Sequence, residues 1–171
     1  QGQFQDDTLE SQVEVKQVQG QLRHYPLKLQ TTLGVKGSQY DIKGLNFQSG
    51  PARLTVDGHL GQHSNLNWDL QIPELATLLP DSTGSLLGKG SLKGSLDLPH
   101  LTAQLTGRAL KIQSLQLNSL QADMDVNLQT RQDSQLNIVA TNFKQGQTQI
   151  ERLELQGQGN VANHTLLAKV T

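Results

Sequence analysis

The chain has 171 residues, enough for one ordinary domain, and 35% of them are hydrophobic, 4% aromatic and 17% charged. Its formal net charge of −1 gives no electrostatic footprint for nucleic acid, and its lack of cysteine excludes disulfides, thiolate zinc sites and thiol catalysis. Regularly spaced aliphatic residues argue against disorder.

No run approaches the roughly 20 apolar residues that span a bilayer. The start at Gln1 has neither the basic region nor the apolar region of a signal peptide. We therefore expect the chain to be a piece of a longer protein, with any membrane anchor or signal outside it.

A clear alternation begins at Tyr25, where every second residue up to Val35 is apolar except Thr31, with mostly polar residues between. A period of two residues is the signature of a β-strand with one apolar face. The same pattern predicts strands in the later runs 54–60, 66–72, 92–98, 101–105, 120–128, 136–140 and 164–170.

Turn-forming residues separate these runs. Short connections at intervals of about 10 to 15 residues favour antiparallel neighbours over parallel α/β units. The predicted turns are Gly20, Gly37-Ser38, Ser49-Gly50-Pro51, Asp57-Gly58, Gly61 to Asn65, Gln129 to Ser134, Lys144-Gln145-Gly146 and Gly157 to Asn160.

One segment breaks the alternation. Between Pro73 and Pro80, apolar residues at helical spacing follow an initial proline, which predicts a short helical segment near 73–80. We expect the interruption to extend over 73–87, with a glycine-rich, flexible return to the sheet. The glycines of that return are Gly84, Gly88, Gly90 and Gly94.

A weak repeat of the form Ile-x-x-Leu-x-Leu/Phe begins at Ile42, Ile112 and Ile150. It divides a single predicted segment, 1–171 of a larger repetitive protein, into weak repeats near 25–72, 92–140 and 136–171. The side-chain parity changes within Ile-x-x-Leu, as a β-bulge would change it. We therefore expect a corner after each isoleucine, and such corners would bend the sheet into a trough.

The predicted fold class is all-β: a long, curved, mostly antiparallel sheet forming a half-pipe, or β-taco, with a hydrophobic interior. Two interpretations of the apolar face remain open. The sheet could fold over and form a closed core, as in a structural or adhesive β-solenoid without a lipid ligand. Alternatively, the trough could stay partly open and hold acyl chains against flexible aliphatic walls.

Residues 88–105 fit the pattern G-x-L-x-G-x-L-x-x-P-x-L-x-A-x-L, and residues 150–159 with 163–166 fit I-x-x-L-x-L-x-G followed by x-H-x-L. In these motifs the chain resembles an internal or C-terminal-half segment of TamB and its AsmA-like relatives. The resemblance implies a β-taco within a large periplasmic protein that is anchored in the inner membrane by a segment absent here.

The resemblance also implies a function: shielding phospholipid acyl chains during transport between the inner and outer membranes, and supporting outer-membrane protein assembly with the outer-membrane barrel TamA. The family contributes no catalytic residues. Its groove lining corresponds here to Leu92, Leu96, Leu98, Leu101, Leu105, Ile112, Leu115, Leu117, Ile150, Leu153, Leu155 and Leu166.

Catalytic and metal chemistry find little support in the sequence. His59 and His63 have the spacing of two ligands on one helical face, but the strand alternation and nearby glycines favour turn histidines. The alternation directs the carboxylates Asp6-Asp7, Asp123-Asp125 and Glu151-Glu154 towards solvent. We therefore expect that the protein is not an enzyme, that it binds no metal or cofactor, and that it has no nucleic-acid partner.

Overall fold

The structure, a computed structural model, describes residues 10–129 and 132–171. These residues form one sheet of 11 antiparallel strands in which spatial order equals chain order, confirming the predicted all-β, antiparallel, trough-like fold. The strands are β1 (Glu10–Leu22), β2 (Tyr25–Lys36), β3 (Gln39–Ser49), β4 (Ala52–Leu60), β5 (Ser64–Ile72), β6 (Ser82–Gly94), β7 (Pro99–Ile112), β8 (Leu115–Asn127), β9 (Ser134–Gln145), β10 (Thr148–Gly159) and β11 (His164–Val170).

The sheet is open, because β1 and β11 are its two edges. Each strand is joined to the next by a short connection. Because all the described strands belong to this one sheet, they make a single layer. An apolar face in such a layer can be covered only by curling of the sheet, by the connections, or by another molecule.

The alternation of the sequence produces the two faces. In β2, Leu27 and Leu29 are half-buried whereas Lys28 and Gln30 are exposed. Successive side chains of a strand point to opposite faces, so the aliphatic residues collect on one side of the sheet and the polar residues on the other. The same alternation continues through β4, β5, β8 and β9.

The predicted helical interruption is shorter in the structure. Only Leu75–Thr77 is helical, as one turn of 3-10 helix, and β6 already starts at Ser82 instead of after residue 87. Gly88 and Gly90 belong to that strand, so the expected flexible return is wrong. No helix in the described part of the chain is long and apolar enough to cross a membrane.

The strand predicted over 92–98 ends early. β6 stops at Gly94, and the Oγ of Ser95 accepts a hydrogen bond from the Leu98 backbone N–H at 3.1 Å before Pro99 opens β7. This local hydrogen bond replaces the sheet ladder. Leu96 and Leu98 therefore lie in a connection.

The three predicted corners have different outcomes. At Ile42 the β3–β4 register shifts before Leu45, as a bulge requires. At Ile150 the β9–β10 pairing is interrupted opposite Asn142, which has φ 52°. At Ile112 the prediction is wrong, because Ile112 and Leu115 are paired across the β7–β8 hairpin turn.

Some predicted turn residues lie within strands, so these turn predictions are wrong. Gly20 lies within β1, Gly58 within β4, and Gly157 to Gly159 within β10. A Cβ on Gly58 would lie 2.0 Å from the Asn65 backbone oxygen, so this glycine permits close approach of β5. Of the sequence predictions, Asp6, Asp7 and residues 130 and 131 of one turn lie outside the described residues.

Candidate functional site

The candidate functional site is the apolar face of the sheet, which is built from rows of side chains running across the strands. Residues paired in the register stand side by side on one face, so each chain of pairs forms a row. The longest row contains Val18, Leu29, Phe47, Leu54, Leu70, Gly88, Leu105, Ala122, Ile138, Leu155 and Ala168.

Parallel rows lie on either side of it. Towards the 95–98 connection, one row contains Leu45, Val56, Trp68, Gly90, Ala103, Met124, Leu136, Gly157 and Leu166, and the next contains Leu33, Ile42, Gly58, Leu66, Leu92, Leu101 and Val126. On the other side a row contains Ile72, Leu86, Gly107, Leu120, Ala140, Leu153 and Val170.

Most of this apolar face remains accessible. Among the described hydrophobic residues, few are buried, and four of those are small alanines. The larger aliphatic side chains, such as Leu101, Leu105 and Ile138, are half-buried. A closed core would cover the face fully, and the described residues do not cover it. The buried hydrophobic residues are Ala52, Ile72, Leu75, Ala103, Leu110, Ala122 and Ala140.

The connection between β5 and β6, residues 73–81, covers one part of the face, and we call it the strap. Leu75, only 4% exposed, packs with Ala52, Ile72 and Leu110. Arg23 Nη1 donates a hydrogen bond to the Ala76 carbonyl at 3.1 Å. The strap thus covers the apolar face near the start of β4 and the ends of β5 and β7. No other segment of the described chain covers the remaining rows.

Two buried hydroxyl groups near the strap have no hydrogen-bond partner among the described residues. Thr77 is 0% exposed and its Oγ1 is unpaired, as is the Oγ of Ser49, which is also 0% exposed. A buried polar group without a partner costs about 1 to 3 kcal/mol. Apolar packing and the Arg23 hydrogen bond therefore hold the strap in place despite this local cost.

Trp68 is a feature of the apolar face that the sequence analysis missed. Its indole lies over β6, where a Cβ on Gly90 would be 2.7 Å from Trp68 Cζ2 and one on Gly88 would be 3.1 Å from Cζ3. The two glycines make room for the ring. A tryptophan in an alternating run, followed by a Gly-x-Gly run in the next strand, was the available signal.

The predicted lining residues fall into three groups. Leu92 and Leu101 are directly opposite each other, and Leu105, Leu153, Leu155 and Leu166 stand in the rows described above. Leu117 packs with the strap cluster, whereas Ile112, Leu115 and Ile150 lie at the hairpin ends of β7, β8 and β10. Leu96 and Leu98, 57% and 48% exposed, lie outside the strand rows.

The opposite face carries a groove of about 890 Å³ that is lined mainly by polar and charged residues, together with Trp68, Ala103, Met124 and Leu136. Asn67, Ser91, Thr102 and Gln135 are among the residues that line it. Ser91 and Thr102 share a hydrogen bond of 2.8 Å between their hydroxyl groups. Amides and hydroxyls bind water or polar ligands and are poor contacts for a hydrocarbon chain.

Two charged pairs lie on this polar face. His100 Nε2 lies 2.6 Å from Asp125 Oδ1, and Arg152 pairs with Glu154. The hydrogen bond and the positive charge of Arg152 lower the pKa of Glu154. In the described part of the chain, no three His, Cys, Asp or Glu side chains are arranged to hold a metal ion.

An open, single-layer antiparallel sheet with one accessible apolar face defines a β-trough protein. The whole chain, residues 1–171, matches the family model described as "TamB, N-terminal domain", and the chain therefore belongs to the TamB family. The description names the N-terminal domain, whereas the motifs predicted an internal or C-terminal-half segment.

A curated relative supports the assignment. The chain is 26% identical over 160 residues to the translocation and assembly module subunit TamB of Haemophilus influenzae. The match covers 92% of this chain and 12% of that protein, so the chain spans about one eighth of its relative's length. No solved structure matches the chain.

Proposed function

We propose that this chain is one segment of a TamB-like groove that shields phospholipid acyl chains as lipids move between the inner and outer membranes. The observation that carries the proposal is the set of aliphatic rows that cross the sheet and remain half-exposed outside the strap. In water such a face is costly, and a hydrocarbon ligand would relieve that cost.

The chemistry of the rows suits an acyl chain. Leucine, isoleucine and valine dominate, and the wall offers no charged group that would need a partner. Each methylene removed from water contributes about 0.8 kcal/mol, so contact along several strands is enough to retain a chain without a polar anchor. An acyl chain that slides from one row to the next exchanges one set of contacts for an equivalent set. This equivalence favours movement along the groove.

The cellular setting is part of the proposal. The relative's name describes a translocation and assembly module subunit. In this setting the full-length protein is anchored in the inner membrane, crosses the periplasm and works with a TamA-like outer-membrane barrel in outer-membrane protein assembly. The role of this segment is non-catalytic, and we assign no contact with the barrel to any of its residues.

Photo-crosslinking in cells tests the lipid proposal. A photoreactive amino acid replaces Leu105, on the apolar face, or its neighbour Gln104, on the polar face, in the full-length protein. Phospholipid adducts identified by mass spectrometry are expected at position 105 and not at position 104. Equal labelling at the two positions would contradict the proposal.

A further inference from the structure

Two lysines stand on adjacent hairpins at one rim of the sheet. In the register, Lys111 of β7 faces Gln116 of β8, which in turn faces Lys144 of β9, and all three side chains are exposed. Neighbouring strands are about 4.8 Å apart, so the two lysine Cα atoms are separated by about 10 Å. Flexible lysine side chains can converge on one anion across that distance.

The residues beside these lysines belong to the apolar side of the same rim. Ile112 pairs with Leu115, and Phe143 pairs with Ile150. Leu115, Phe143 and Ile150 are half-buried, and Ile112 is 38% exposed. The rim of β7–β10 is therefore basic on its polar side and apolar on its trough side, within a few residues of each hairpin turn.

An irregularity of the sheet places a groove next to the lysines. Ala109 has φ 48° and Asn142 has φ 52°, and the ladder pairing is interrupted around both. This groove has a volume of about 370 Å³, and its lining includes both lysines together with Gln116, Asn118 and Asn142. Amide N–H groups and ammonium groups are both donors for a phosphate oxygen.

No ion pair among the described residues neutralises the charge of this groove. No described carboxylate forms an ion pair with Lys111 or Lys144, and no acidic residue lines the groove. On the neighbouring strand β10, Glu154 is paired with Arg152. Two acidic residues are nearest by register: Asp81, two residues before the Lys111 partner Thr83, and Glu151, two residues after the Lys144 partner Gln149.

We propose that this basic rim, defined by Lys111, Gln116, Asn118, Asn142 and Lys144, binds the phosphate of an anionic phospholipid headgroup. The inference rests on the proposed function, because the lipid's acyl chain would continue past Ile112 and Leu115 onto the apolar rows. Lysine suits such a site, since its stem packs along apolar surface while the ammonium group stays in water. The rim is thus a place where lipids enter or leave the trough.

Binding of lipids to the purified full-length protein tests the rim. The probes are two fluorescent lipids with identical acyl chains, one with an anionic phosphatidylglycerol headgroup and one with a zwitterionic phosphatidylcholine headgroup. The test variant is Lys111→Gln/Lys144→Gln. The control is Lys28→Gln/Lys89→Gln, which removes the same charge from exposed positions of β2 and β6.

We expect the test variant to bind the anionic lipid about tenfold more weakly at low salt, with a smaller loss at high salt. Binding of the zwitterionic lipid should stay within about twofold, and the control should bind both lipids like the wild type. The inference is overturned if the test and control variants lose affinity for the anionic lipid to the same extent. It is also overturned if millimolar inorganic phosphate displaces the anionic lipid, since that result indicates a site for free phosphate.

These outcomes separate the rim from the groove. If both lipids bind and the test variant binds them like the wild type, the rim assignment fails while the proposed lipid groove stands. If neither lipid binds the wild-type protein, the proposed function itself fails and the rim loses its basis. Thermal unfolding of each variant accompanies the assay, and exposed lysine substitutions are expected to leave the midpoint unchanged.

Discussion

Trp68 and Gly90 face each other in the β5–β6 register, and the indole occupies the space that a side chain on Gly90 would need. A Cβ there would also lie 2.2 Å from the Thr102 backbone oxygen. The ring covers the part of β6 where Gly88 and Gly90 carry no side chain, which keeps the apolar face continuous across the two glycines. A single tryptophan thus joins the aliphatic rows on either side of β6.

Gly90→Ala should destabilise the chain by about 2 kcal/mol, because the methyl group collides with both the indole and a backbone oxygen. Urea unfolding followed by tryptophan fluorescence measures the change. Gly20→Ala is the matched control, since nothing lies within 4 Å of a Cβ at that position of β1. Equal losses in the two variants would show that the Trp68 contact is not the cause.

Leu75→Ala should cost about 2 to 4 kcal/mol of unfolding free energy, because Leu75 is the buried anchor of the strap. Leu79 belongs to the same strap but is 41% exposed, so Leu79→Ala should cost less than about 1 kcal/mol. Denaturant unfolding measures both. A similar cost for the two leucines would contradict the packing described for the strap.

Thr77→Val should stabilise the chain by about 1 kcal/mol, because valine keeps the shape of threonine and removes a buried hydroxyl group that has no partner. Thr55→Val, at an exposed position of β4, serves as the control and should change the unfolding free energy little. Destabilisation by Thr77→Val would mean that the hydroxyl group is hydrogen-bonded in solution.

Arg152→Gln should raise the pKa of Glu154 towards its ordinary value, because the hydrogen bond and charge of Arg152 are the main causes of its lowering. Lys169→Gln should raise it less, since Lys169 contributes the smallest effect. A group with a lowered folded-state pKa stabilises the fold above its ordinary pKa, and this contribution is lost as the pH falls through the lowered value. Carboxyl NMR titration measures the pKa, and an unchanged value in Arg152→Gln would contradict the pairing.

The period-2 pattern was enough to predict most strands, because a one-sided sheet forces alternation on its sequence. It failed at Leu96 and Leu98, where the pattern continues but the Ser95 hydroxyl oxygen accepts a hydrogen bond from the Leu98 backbone N–H. It also failed at Ile112, because a two-residue turn and a bulge change side-chain parity in the same way. Local hydrogen bonds and turns decided these cases, and spacing does not encode them.

The sequence indicates which residues line the apolar face, but not which of them are paired across neighbouring strands. Leu92 and Leu101 were both predicted to line the face, yet their pairing depends on the loop between them. The strap was predicted as a helical segment, whereas its contact with Leu110 joins residues distant in sequence. The basic rim is likewise visible only when β7, β8 and β9 are aligned.

The most direct test of the open groove is a charge placed in its wall. Leu101→Arg, on the apolar face, is compared with Gln104→Arg, on the polar face of the same strand, in the full-length protein. Phospholipid transport and folding are measured together, by lipid exchange between membranes in cells and by protease resistance. Leu101→Arg is expected to stay folded and lose transport while Gln104→Arg keeps both, because a charge in the apolar wall would be desolvated by a passing hydrocarbon chain. Unfolding of Leu101→Arg, or transport equal to that of Gln104→Arg, would contradict an open lipid groove.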